Sequence, residues 1–270
     1  MKLKEERVDS EARDDNMNIF ELYSLYKECG AASADVASLR GGEMFFALDD
    51  AGDAAVALDN GARYAVIHEE AQIADRPQYI KVADVLDTMH GLARWHRSMS
   101  FVCGRPIPVL VMMGKRYRSE VKELILRSFT EKCHAVATDG RYGDEIDIPL
   151  ALLGIGAGTE VAIIEISTDE SLEVKKYLNV ALPNYGLVTD VDGRSVAAAS
   201  ELYDYLRRTS DKVFVDVDDP VLCRMVSERG LDSNPERTES LVIPYGVSYD
   251  PVHVFDDSQH AAAAAVVKNI

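Results

Sequence analysis

Cysteine occurs only four times in 270 residues and tryptophan once. Cys29, Cys103, Cys133 and Cys223 lie far apart, so they form neither a redox CxxC pair nor the close pairs of a zinc ribbon. Scattered thiols of this kind suit a reducing compartment, where each acts as a small hydrophobe. Bases are also scarce: 29 lysines and arginines against 46 acids leave a formal charge of −17. A surface of that sign repels nucleic acid and anionic membranes. The densest basic run, Lys115 to Arg118, holds three bases. Trp95 and the tyrosines are not interleaved with bases as a stacking nucleic-acid groove requires. No run approaches the roughly 18 apolar residues of a membrane helix, so no membrane insertion is expected. Residues 1–17 are charged and lack the apolar segment of a signal peptide, which predicts a disordered tail and a cytoplasmic location.

From residue 18 onward, short apolar runs alternate with amphipathic stretches. Helices are predicted over Ile19–Tyr26, Ala54–Asn60 and Ala83–Met99, with strands at Glu43–Leu48, Tyr64–His68 and Tyr79–Val82. Gly104 and Pro106 then punctuate the chain. Beyond them Pro108–Met113 is a continuous apolar run, the pattern of a strand buried on both faces. An amphipathic helix over Ser119–Cys133 follows, and strands and helices alternate to the alanine-rich His260–Lys268. Such alternation implies βαβ units. The expected fold is therefore α/β: a small N-terminal α/β domain over 18–103, then a P-loop-like central domain over 104–270. The central sheet should be mostly parallel and flanked by helices.

In such a sheet, ligands sit at the carboxyl ends of the strands, against the N-terminus of the next helix. The strand–loop–helix at 108–133 is where a phosphate site belongs. A phosphate-cradling loop needs several glycines, then a lysine and a serine or threonine. Here Gly114 is the only glycine, Arg116 follows Gly114–Lys115, and Tyr117 and Arg118 precede Ser119. Gly154, Gly156 and Gly158 follow a helix and precede a strand, the wrong side for a dinucleotide fingerprint, and predict a turn. His90 and His96 are six residues apart on one helix, a spacing that suits packing rather than shared metal ligation. Asp216, Asp218 and Asp219 lack the spacing of a calcium loop and predict a helix N-cap.

The run PVLVMMGKRYRSEVKELI nevertheless resembles the strand–loop–helix of the Mur ligase family. IPLALL at 148–153, VAIIEI at 161–166, PNYGLVTDV at 183–191 and IPYG at 243–246 follow in the family's order. Together these runs are similar to the branch that joins D-alanyl-D-alanine to a UDP-MurNAc-tripeptide. The resemblance implies the family's N-terminal and central domains, with its third domain absent. It places the family's loop lysine on Arg118, the preceding glycine on Tyr117, the magnesium-holding hydroxyl on Ser119 and the metal-binding glutamate on Glu165. The Asn-His that follows falls on Asp169 and Glu170, and the modified lysine on Ala199. In the first domain only Asp35 of the family's T-D-S-R is kept, and the uridine-gripping loop is missing around Asp49–Asp53.

These substitutions imply a catalytically degenerate homologue: a binding or regulatory protein linked to peptidoglycan precursor synthesis. No catalytic residue is expected. Gly114, Lys115, Arg118 and Ser119 would be a remnant cofactor loop and Glu165 a remnant metal ligand. No cofactor is expected, and the partner would be another cell-wall enzyme or a UDP-linked precursor. The alternative is an active ligase of unusual design, using ATP and Mg.

Overall fold

The computed structural model describes residues 18–72, 74–131, 133–209, 211–232, 241–247 and 258–270. The expected tail at 1–17 lies outside them. The chain opens with α1 (Ile19–Cys29), β1 (Ala32–Ser33), a 3-10 turn (Val36–Ser38) and β2 (Met44–Phe46). α2 (Ala51–Asp59), β3 (Tyr64–His68), β4 (Tyr79–Val82) and α3 (Val85–Ser98) complete the first unit. The hairpin β5 (Phe101–Val102) and β6 (Arg105–Pro106) leads to β7 (Val109–Met113) and α4 (Arg118–Thr130). Next come β8 (Ala135–Ala137), α5 (Asp144–Leu153), β9 (Val161–Glu165) and α6 (Ser171–Ala181). β10 (Tyr185–Val188), α7 (Ser195–Thr209), β11 (Lys212–Asp216), α8 (Pro220–Glu228), β12 (Val242–Tyr245) and α9 (Ser258–Asn269) close the order.

Both larger sheets are wholly parallel. The first runs β1-β2-β3-β4 and the second β12-β11-β10-β7-β9-β8. β7, the apolar run at 109–113, is buried at every position because it sits between β10 and β9 with helices on both faces. Helix starts follow local chemistry. Asn18, Asp50, Asp84 and Asp219 each accept backbone N–H groups as N-caps, the last fulfilling the expectation for the 216–219 segment. α5 begins at Asp144, ahead of the apolar run at 148–153, because Asp144, Glu145 and Asp147 complement the positive end of the helix. The two-residue strands and the 3-10 turn were not predicted; each is too short to carry a hydrophobic period.

One hydrophobic cluster continues from one sheet to the other. Met44, Phe46 and Val66 of the first sheet share a cluster with Val109, Val111 and Ile164 of the second, by way of α1, α3 and α5. Val85, Met89 and Leu92, at helical spacing along α3, are buried at this junction. Polar contacts fasten it further. Pro149 lies inside α5 and has no N–H for the Glu145 carbonyl, and His90 Nε2 donates to that carbonyl instead, at 2.6 Å. His96 Nε2 donates to the Ile155 carbonyl at 2.7 Å, just past the other end of α5. The two histidines thus clamp one helix at both ends, and the glycine triplet beyond it forms the predicted turn. Arg97, also buried, donates to the carbonyls of Ala181 and Leu182 and to Asn184 Oδ1, holding the turn that leads into β10.

Candidate functional site

The loop between β7 and α4 leaves the carboxyl end of the central sheet beside the ends of β9 and β10. Gly114 makes this path possible. Its φ is +152°, and a Cβ there would lie 1.9 Å from Thr189 Oγ1, just past β10. Only glycine lets the loop pass so close to that neighbour. The chain then turns through Lys115, Arg116 and Tyr117, and α4 starts at Arg118 without a side-chain N-cap.

Asp190, two residues past β10, lies in the concave side of this loop. Its Oδ1 accepts the backbone N–H groups of Lys115 at 2.9 Å and Arg116 at 3.1 Å, together with the Thr189 hydroxyl at 3.1 Å. Its Oδ2 lies 3.5 Å from Arg116 Nε. Successive N–H groups directed at one anion form a nest, the arrangement that phosphate loops use. Here a carboxylate of the same chain is the anion. The Lys115 ammonium is turned aside to pair with Asp169.

The second half of the site is built on Glu165, at the end of β9. Arg118 Nε lies 2.6 Å from its Oε1, and Ser119 Oγ donates to the same oxygen at 2.9 Å. Lys122 Nζ lies 2.7 Å from Oε2. Arg118 also donates to the Gly114 carbonyl at 2.6 Å, and Lys122 to the Thr138 carbonyl at 3.0 Å. The Glu165 N–H donates to Thr138 Oγ1 at 2.9 Å, fixing the strand end. Burial alone would raise the Glu165 pKa, but hydrogen bonds from Lys122 and Arg118, and their charges, outweigh it and hold the carboxyl below its ordinary value.

All five residues singled out in the sequence therefore meet at one place. Arg118 links Gly114 to Glu165, Ser119 bonds the same carboxylate, and Lys115 joins through Asp190. Two participants had no sequence signal. Lys122 lies on the inward face of α4 among Val121, Ile125 and Phe129, where a lysine is not expected. Asp190 enters from a strand 75 residues on, and only the order β10-β7-β9 reveals it. The cavity between Gly114, Arg118, Asp190 and Ala199 measures about 10 Å³, room for about one water.

The donor set is a poor match to a divalent cation. Mg²⁺ binds through water and one or two carboxylate oxygens open to it, whereas both oxygens of Glu165 face cationic side chains. Among the described residues, no group of three or more His, Cys, Asp or Glu side chains is arranged to hold a metal. Asp169, where the resemblance puts the asparagine of the Asn-His pair, is engaged by Lys115, and Ala199 is buried in α7. Nearby, Asp144 takes the N–H groups of Ser167 and Thr168 and so holds the loop after β9.

A groove of about 440 Å³ lies at the junction of the two sheets, lined by Ser33, Arg40, Glu43, Asp139, Arg141 and Tyr142. Asp35, at its edge, accepts the Tyr142 hydroxyl at 2.8 Å and caps the 3-10 turn through the Ala37 N–H. Its pKa is lowered by those two hydrogen bonds, the backbone one first.

No family model matches the chain. Its sequence is 30% identical over 115 residues to the UDP-N-acetylmuramoyl-tripeptide–D-alanyl-D-alanine ligase of Treponema pallidum, covering 42% of this chain and 24% of that protein. The enzyme of the same name from Escherichia coli is 26% identical over 165 residues, covering 60% of this chain and 35% of that one. The fold matches MurF from Acinetobacter baumannii with a TM-score of 0.67 at 15% identity, over 88% of this chain and 58% of that one. It also matches MurF from Thermotoga maritima in complex with ADP, with a TM-score of 0.61 at 18% identity, over 81% and 50% of the two chains. The chain resembles the Mur ligases in both sequence and fold. It spans about half the length of the solved Mur ligases and a smaller share of the curated relatives. Among the described residues no helix is long and apolar enough to cross a membrane.

Proposed function

We propose that this chain is a catalytically degenerate homologue of the D-alanyl-D-alanine-adding Mur ligase, acting as a binding or regulatory protein in peptidoglycan precursor synthesis. One observation carries the reading: both oxygens of Glu165 are satisfied by Arg118, Ser119 and Lys122, so the residue in the place of a metal ligand is an ion-pair centre instead. A ligase must position ATP, hold metal and align a nucleophile, and each step needs groups free to meet those species. The loop lysine is replaced by an arginine committed to Glu165 and to the Gly114 carbonyl. The groove lined by Arg40 and Arg141 is the larger open space and is where a UDP-linked precursor would lie, although Arg141 is paired with Asp139 and Glu43 also faces it.

The presence of both Ser119 and Glu165, where the resemblance places the magnesium-holding hydroxyl and the metal-binding glutamate, favours the second reading, an active ligase of unusual design that uses ATP and Mg. Calorimetry with Mg-ATP and with the UDP-MurNAc-tripeptide separates the two. The first reading expects no heat from Mg-ATP. ATP-dependent joining of D-alanyl-D-alanine to the tripeptide nucleotide by the purified protein overturns it.

A further inference from the structure

We propose that the Asp190 carboxylate is a built-in counter-anion, seated where a phosphate group would lie, and that it keeps the 114–117 loop closed to phosphate-class anions. The inference rests on the reading of the chain as a degenerate ligase and says what closes its loop. The Asp190 Oδ1 lies at hydrogen-bond distance from two successive N–H groups, those of Lys115 and Arg116. A third donor, the Thr189 hydroxyl, completes its shell. A phosphate oxygen entering the nest would need these same N–H groups and would meet a like charge at contact distance.

The surroundings make the carboxylate necessary. Lys115, Arg116, Arg118 and Lys122 converge on this end of the sheet, and Asp169, Asp190 and Glu165 answer them. With Asp190 removed, two N–H groups lose their acceptor and Arg116 its partner. The first turn of α4, which has no side-chain cap, adds its own free donors. That combination is an anion site. The adjoining cavity of about 10 Å³ would widen by the volume of the lost carboxylate.

The test compares pyrophosphate binding, by calorimetry and thermal shift, for the wild-type chain, Asp190→Ala, Asp190→Asn and Asp169→Asn. Circular dichroism checks that each variant is folded. Asp190→Ala is expected to bind pyrophosphate at least about tenfold more tightly than wild type, since charge-assisted hydrogen bonds become available to the ligand. Asp190→Asn keeps an acceptor for both N–H groups while losing the charge, and should fall between the two. Asp169→Asn removes the same charge outside the nest and should change little. The proposal is overturned if a folded Asp190→Ala or Asp190→Asn gains nothing, if wild type already binds as tightly, or if Asp169→Asn gains equally. Mg-ATP binding and peptide ligation by wild type are read separately. Their appearance would overturn the functional reading, whereas the pyrophosphate comparison alone decides the role of Asp190.

Discussion

Lys122 and Glu165 form a buried ion pair, 2.7 Å apart, with side chains 8% and 11% exposed. The pair joins the inward face of α4 to the end of β9, and Arg118 closes the same carboxylate from the side. Charges so far from water are tolerated only because each has a partner and a further hydrogen bond. Glu165→Gln should therefore destabilise the fold by about 2–3 kcal/mol, chiefly by leaving the Lys122 ammonium without its counter-charge. Urea unfolding with an unchanged m-value measures the loss. The double variant Glu165→Gln, Lys122→Met should lose less than Glu165→Gln alone, because no buried cation is stranded. Equal losses would sink the assignment.

The same carboxylate sets an acid dependence. Its folded pKa lies below the ordinary value of 4.5, so its contribution to stability is complete above that value and disappears as pH falls through the folded one. The difference in stability between wild type and Glu165→Gln should be constant from pH 7 to about pH 5 and shrink below about pH 4. Denaturant titrations at a series of pH values check this. A difference that grows on acidification contradicts the pairing.

His90 and His96 predict a second, higher window. A carbonyl oxygen can only accept, so Nε2 of each ring carries the proton toward Glu145 and Ile155. The Tyr23 hydroxyl, 3.4 Å from His96 Nδ1, fits the same tautomer. Burial lowers the pKa of both rings below 6.5. For a depressed folded pKa, the neutral rings cost nothing above about pH 6.5. Below it the unfolded chain takes up protons first, and stability falls by up to about 1.4 kcal/mol per pH unit for each ring. The double variant His90→Gln, His96→Gln keeps a donor at each site and does not titrate. Its unfolding midpoint should vary less between pH 7 and pH 5.5 than that of wild type.

Much of this architecture is legible in the sequence. Tyr64–His68 and Tyr79–Val82 coincide with β3 and β4 because short apolar runs between polar turns leave no other period to fit. The helices that carry the junction are equally plain, since the inner face of α3 repeats at helical spacing. The site divides differently. Gly114, Arg118 and Ser119 are close in sequence, so the loop can be read as a unit, and Glu165 comes with the family resemblance. Asp190 and Lys122 could not be found in that way. One depends on which strand lies next to β7, and the other is a charged residue on an apolar face whose partner lies 43 positions away. Long-range pairing fixed both, and local pattern does not encode it.

Reverting the loop by itself should not create a nucleotide site. Tyr117→Gly with Arg118→Lys restores the glycine and lysine that the resemblance places there, yet Asp190 would still occupy the Lys115 and Arg116 N–H groups. Lys122 would still hold Glu165 Oε2. The double reversion also removes the arginine that joins the Gly114 carbonyl to Glu165, at a cost of about 1–2 kcal/mol. A ligand at 100 times its Kd stabilises a fold by about 2.7 kcal/mol, a shift of several degrees that thermal denaturation detects readily. With millimolar Mg-ATP the reverted chain should show no such rise. Adding Asp190→Ala to the reversion should produce one with pyrophosphate. A clear rise for the double reversion alone would mean that the missing glycine and lysine, and not the carboxylate of Asp190, are what close the loop.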